Sequence, residues 1–216
     1  MAQFAVIGMG RFGRAVARNL ALIGESILAV DHRKERLDSV AAEVDSVAIT
    51  DTTDEGAVAA LQLHRMTAVV VAMGSRATEA SLLTTAILKE LKVPYIVARA
   101  FDERHSRLLL AVGANEVLNP EDDMGKRLAI RLAHPGVLAE IAFGDAVVAE
   151  VETPEQFVGR TLAELSFRSR HGISILAIRR DNSTQVNPDA EARLESGDIM
   201  VVLGRRDSID ALAERR

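Results

Sequence analysis

Short apolar runs alternate with longer amphipathic stretches along the first 134 residues. Phe4–Ile7, Ile27–Val30, Ser46–Ile49, Ala68–Ala72, Tyr95–Ala98 and Glu116–Leu118 are brief, and several are wholly apolar. Strands buried on both faces of a parallel sheet read this way. Between them lie helical patterns. One carries Leu20 and Ile23 and closes at Gly24. A charged one covers 33–43, and another begins near Glu55. A long one spans 78–91 and stops before Val93-Pro94, and one over 103–112 ends at Gly113. The last opens at Pro120 or Glu121 and runs to about His134. Six strands alternating with five or six helices predict a doubly wound α/β domain. Right-handed crossovers predict the strand order 3-2-1-4-5-6.

His134-Pro135-Gly136 breaks this rhythm, so the boundary is placed there, with domains at 1–135 and 136–216. Beyond it Asp145–Val151, Ile173–Arg179 and Asp198–Leu203 read as strands, the last stopped by Gly204. Thr161–Phe167 and Ser208–Ala213 read as helices, and Asp181-Asn182-Ser183 as a turn. These make a small α+β domain. No internal repeat or low-complexity segment interrupts the chain.

The chemistry concentrates in the first strand–helix–strand unit. Gly8, Gly10 and Gly13 follow the first strand at G-x-G-x-x-G spacing, and Asp31 closes the second. In a Rossmann-like unit, such glycines permit a tight turn, a close phosphate approach and helix–strand packing respectively. The helix then offers free N–H groups and its positive dipole end to a phosphate. Asp31 follows Gly10 by 21 positions, close to the ~20 expected of an acid gripping ribose hydroxyls. The plainer readings are a tight turn for the glycines and a helix cap for Asp31. In a doubly wound sheet, ligands collect over the carboxyl ends of strands 1, 2 and 4. Here those ends carry Gly8–Gly13, Asp31, Asp51 and Ala72–Gly74.

Composition narrows the classes. The net charge of −5 argues against a nucleic-acid partner held by charge. Without cysteine there is no disulfide framework, thiolate nucleophile or zinc–thiolate site. No apolar run approaches the ~18–20 residues that span a bilayer. The opening MAQFAVIG enters a strand at once, leaving no room for a signal peptide. A soluble, intracellular protein is expected, able to dock on a membrane protein. The five histidines show no metal spacing. The region after His134 offers no cluster of Lys, His or Tyr with Asp/Glu to move a proton beside a hydride. That disfavours an NAD(P)-dependent oxidoreductase, and no catalytic residue is expected.

FAVIGMGRFG, LAVD, the TDTTD loop, VVVAMG, LLTTAILKEL and GANEVLNPEDDMG together resemble the RCK (regulator of potassium conductance) family in its KtrA/TrkA branch. GRTLAELSFRSRHGISILAIRR and LESGDIMVVLG resemble its RCK-C domain, so the likeness covers nearly the whole chain: one RCK-N followed by one RCK-C. The resemblance implies a cytoplasmic, non-enzymatic regulatory subunit, peripheral on the inner membrane face. It would form a homo-oligomeric ring, typically an octamer, gating a KtrB/TrkH-type potassium channel or transporter. It implies ATP and ADP as ligands, with NAD(H) as the alternative. Gly8, Gly10, Arg11, Phe12 and Gly13 would surround the phosphates, and Asp31 would hold the ribose. Arg33 stands where KtrA-like proteins often have a small polar residue, and a basic residue beside Asp31 leaves open some tolerance of a 2′-phosphate. Asp51 and Thr52 would border the base. Ala72, Met73, Gly74 and Arg99 would complete the pocket. Glu121 would sit near the phosphates at a subunit interface, where the family associates a carboxylate with a Mg or Ca ion. The match extends in part to a C-domain pocket for cyclic di-AMP. Plainer readings stand beside these: a solvated charge for Arg11, a turn residue for Asp51 and a helix N-terminal acid for Glu121.

Overall fold

A computed structural model of the chain describes residues 3–213. They form two compact units that divide between Asp122 and Asp123.

In the first unit, strands β1 (Gln3–Ile7), β2 (Ser26–Asp31), β3 (Ser46–Ile49), β4 (Ala68–Val71), β5 (Ile96–Arg99) and β6 (Glu116–Leu118) form one parallel sheet. Its order is β3-β2-β1-β4-β5-β6, the order expected from right-handed crossovers. Helices α1 (Arg11–Leu22), α2 (Lys34–Asp38), α3 (Glu55–Ala60), α4 (Thr78–Glu90) and α5 (Glu103–Val112) connect the strands. The central runs are apolar throughout because both faces are covered. Ala5, Ile7, Val69 and Val71 pack with Val58, Leu88 and Leu109 on one side. Val6, Ala29, Val70 and Ala72 pack with Ala17 and Leu37 on the other. Ile7 registers with Val30 of β2 and Val71 of β4, so three strand ends lie side by side. The helix expected over 33–43 is only one and a half turns or so as α2, and the chain continues through turns to β3. Helix α6 (Pro120–Ala133) straddles the division between the units and buries none of its residues.

The second unit is an antiparallel sheet of order β10-β9-β11-β8-β7. Its strands are β7 (Val137–Phe143), β8 (Ala146–Glu152), β9 (Ser174–Arg180), β10 (Ser183–Val186) and β11 (Ile199–Arg205). Strand β7 was not anticipated. It joins β8 through a turn at Gly144, where φ is +62°. Strand β11 runs through Gly204 rather than stopping there. A Cβ at Gly204 would come 3.1 Å from Ile173 Cγ1, so this glycine permits close packing within a continuous strand. The helix expected over 161–167 is two pieces, α7 (Leu162–Leu165) and α8 (Phe167–His171), separated by Ser166 at φ 48°. Thr161 and Glu164 form a capping box on α7. Helix α9 (Arg206–Ala213) supplies Ile209 and Leu212 to a core with Val151, Phe157 and Met200. Among the described residues, no helix is long and apolar enough to cross a membrane.

Candidate functional site

The three glycines do different physical work. Gly8 adopts φ +94°, and its N–H donates to the Val30 carbonyl at 2.7 Å. A Cβ on Gly13 would fall 2.0 Å from the Gly8 carbonyl oxygen, an impossible contact. Gly13 therefore serves the packing of α1 on β1. A Cβ on Gly10 would meet nothing within 4 Å. Gly10 is the N-cap of α1, with no side-chain cap and no acid in the first turn of the helix. The first N–H groups of α1 thus keep their affinity for an anion.

Asp31 ends β2 with its side chain only 1% exposed. Its Oδ2 accepts from the Met9 N–H at 2.7 Å, inside the glycine turn, and its Oδ1 accepts from the Arg33 N–H at 2.9 Å. Arg36 Nη1 also reaches Oδ2, at 3.2 Å. One carboxylate thus fixes the turn, the end of β2 and the approach to α2. An ionised carboxylate has about four acceptor positions; these bonds take three, and His32 Nδ1 stands 3.5 Å from Oδ1 beside the fourth.

A cleft of about 800 Å³ opens over these strand ends, within the ~300–1,000 Å³ range of small-molecule sites. Gly8, Gly10, Arg11 and Phe12 line it from the turn, and Asp31, His32 and Arg36 from the end of β2. The 50–53 loop, Ala72–Ser75, Arg99 and Glu121 complete it. Thr52 is fixed to α4, with its Oγ1 2.9 Å from Thr84 Oγ1 and its carbonyl accepting from Thr84 at 3.0 Å. Asp51 accepts from the hydroxyl and N–H of Thr53 at 2.7 and 3.0 Å, which hold its carboxyl below the usual carboxylate range. Arg99, at the end of β5, lies 5.5 Å from the Phe12 ring centroid and pairs with Glu121 through Nη2. Its Nε is buried and has no hydrogen-bond partner. A desolvated guanidinium with an unfilled donor, beside free helix N–H groups, suits an anionic ligand. The residues present therefore fit a nucleotide, with phosphates at the turn and a sugar at Asp31.

Twelve of the fourteen expected residues line this one cleft; Gly13 and Arg33 do not. Gly13 is occupied by packing. Arg33 Nε turns to His32 Nε2 at 3.2 Å, and Arg36 takes the place beside Asp31. Arg36 was missed because RKER offers three basic residues in a row of four, and only the orientation of α2 selects one. No group of three or more His, Cys, Asp or Glu among the described residues is placed to hold a metal ion. Glu121, expected beside a cation, is engaged by Arg99 on this chain.

A glycine turn and a strand-end acid on a doubly wound sheet, followed by a small antiparallel unit, define a Rossmann-like domain with an appended α+β domain. Residues 4–120 match the TrkA-N domain family and residues 147–215 the TrkA-C domain family. The chain belongs to this family, the regulators of potassium conductance. It is 34% identical over 214 residues to the Ktr system potassium uptake protein C of Bacillus subtilis, covering 99% of this chain and 96% of that protein. It is 34% identical over 208 residues to the Ktr system potassium uptake protein A of Vibrio alginolyticus, covering 96% of this chain and 94% of that one. A solved structure of the GsuK channel matches with a TM-score of 0.73 at 23% identity, over 99% of this chain and 39% of the channel chain. That likeness is one of fold.

Proposed function

We propose that the protein is the nucleotide-sensing regulatory subunit of a potassium uptake system of the Ktr/Trk type. The carrying observation is that Gly10, Asp31 and Arg99, whose buried Nε lacks a partner, all line one cleft. Full-length similarity to Ktr potassium uptake proteins supports the role. ATP and ADP differ by one phosphate, so a sensor must bind them with different affinity in two conformations. Arg11 and Arg99 are the cations placed to read that phosphate. Copies would assemble as a ring, an octamer in our reading, on the cytoplasmic face of a KtrB/TrkH-type membrane subunit. Exposed Leu108 and Leu110 on α5, and Leu128 and Leu132 on α6, support association with other copies. A Mg or Ca ion would need ligands from the nucleotide or a second copy besides Glu121.

Calorimetry with ATP, ADP and NADH tests this, together with potassium flux through the co-expressed membrane subunit. Binding of ATP and ADP with unequal affinity and unequal flux is expected. A protein that binds none of them, or flux indifferent to all three, would end the proposal. NAD(H) is the second reading, since a strand-end acid such as Asp31 serves either ribose. Mass spectrometry of ligand carried through purification separates the two.

A further inference from the structure

We propose that Glu121 competes with a ligand phosphate for Arg99, so that nucleotide binding displaces a carboxylate belonging to the protein itself. The inference rests on the nucleotide reading of the cleft and concerns how that site is regulated. Arg99 is 17% exposed, and a cation so far removed from water needs a counter-charge. The face of the Phe12 ring supplies part of it. Glu121 supplies the rest from the first turn of α6, but only through Nη2. Nε and Nη2 lie on one edge of the guanidinium and together make a two-donor fork. The carboxylate takes one prong and leaves Nε buried without a partner. A phosphate, with three terminal oxygens, can fill both prongs at once, and such bidentate pairing is the strong form of this contact.

Position favours the exchange as well. The Arg99 guanidinium sits over Phe12, in the first turn of α1, where uncapped N–H groups already draw an anion. A phosphate there meets two attractions, and Glu121 meets one. Glu121 is 63% exposed and can leave into water at little desolvation cost. It sits on α6, the helix that runs past Asp122 into the second unit. Phosphate occupancy would therefore remove a tie on the first turn of that helix. Arg99 and Glu121 together would convert ligand charge into freedom of α6.

The test is calorimetry on the full chain in EDTA, so that no divalent cation contributes. Wild type, Glu121→Gln, Arg99→Gln and the double variant are titrated with ATP, ADP and adenosine. Glu121→Gln removes the competing charge while keeping the shape of the side chain. ATP affinity is expected to rise roughly three- to tenfold. Adenosine, which has no phosphate, should gain nothing. Arg99→Gln should weaken ATP, and adding Glu121→Gln to it should change affinity less than about twofold. Equal or weaker ATP binding by Glu121→Gln, in protein melting like wild type, would overturn the exchange while leaving the nucleotide site intact. Wild type binding neither adenosine nor ATP would overturn the site and the exchange together.

Discussion

Among the described residues, each unit holds one buried aspartate, Asp31 at 3% exposure and Asp198 at 1%. Each accepts from at least one backbone N–H and from an arginine, yet the two differ in what their partners leave open. Asp198 receives Nε and Nη2 of Arg180 at 2.7 and 2.8 Å and the Glu195 N–H at 2.8 Å. Arg180 is fixed in turn to Glu195 and to the Arg193 carbonyl. That network is closed and clips the entry to β11 against the end of β9. Asp31 receives one nitrogen of Arg36, and both residues face the cleft. A buried acid therefore does not mark a site by itself. The mark is a partner with unspent donors facing open volume.

The largest effect expected from this contrast lies within one turn. Gly13 is closed, in the sense that a methyl would overlap the Gly8 carbonyl, and Gly10 is open. Gly13→Ala should destabilise the first unit by at least about 3 kcal/mol, the upper range for overpacking. Gly10→Ala should lose no more than about 1 kcal/mol, as expected where alanine replaces glycine at an N-cap. It should nevertheless weaken nucleotide binding about tenfold, because the methyl enters the phosphate path. Chemical denaturation and calorimetry on both variants check this. Loss of binding without loss of stability in Gly13→Ala would invert the assignment.

Much of this was legible in the sequence because the parallel sheet repeats one unit. Wholly apolar runs, glycine at helix ends and Asp31 at its offset all reflect burial on two faces. The legibility failed where orientation decides. Nothing in RKER distinguishes Arg36 from Arg33. Gly204 looks like a strand stop until Ile173 is seen against it. Strand β7 stayed hidden because Val137–Phe143 is half-exposed and mixes Glu140 with apolar positions, unlike the continuous runs before it. The pairing of Arg99 with Glu121 joins residues 22 apart in sequence, brought together only by the packing of β5 beside the start of α6.

The two acids should separate next. Asp198→Ala leaves Arg180 without its bidentate partner and the Glu195 N–H without an acceptor. A loss of about 2–4 kcal/mol from the second unit is expected, with nucleotide affinity unchanged within about twofold. Asp31→Ala should cost the first unit less, about 1–3 kcal/mol, because Arg36 is half-exposed and can turn to water. Nucleotide binding, however, should vanish from the calorimetric range. Nucleotide affinity unchanged in Asp31→Ala would break the comparison, because it would make Asp31 another closed clip.

Acid should distinguish the units in a smaller, graded way. Burial lowers the pKa of His105 from its usual 6.5, with Asp102 opposing. The unfolded chain then takes the proton first. The stability is whole above about pH 6.5 and is lost as pH falls from there toward the folded value. Arg180 holds Asp198 below the usual carboxylate value of 3.8. Its contribution persists above that value and fades only as pH falls below it through the folded pKa. Between pH 6.5 and 4 the first unit should lose stability while Asp198 still protects the second. His105→Gln should flatten the slope of the first unit in that window, as read by amide exchange resolved by unit.

The smallest effect expected is at the open edge of Asp31. Arg36 is 41% exposed at its side chain, and a monodentate pair of this kind contributes about 0–1 kcal/mol to stability. Arg36→Ala should therefore melt almost like wild type. Its consequence lies in the ligand. Arg36 lines the cleft beside the acid that would meet the ribose, so its loss should lower affinity for ATP and for adenosine by a similar, few-fold factor. In the proposed reading the phosphate groups lie at the other end, near Arg99. Arg33→Ala, whose side chain faces His32 instead, should change neither. A drop confined to ATP would move Arg36 into the phosphate site. A drop in Arg33→Ala would show that α2 reorients when the ligand binds. Equal, modest losses for adenosine and ATP in Arg36→Ala alone would place the sugar against Asp31 and leave the triphosphate to the glycine turn.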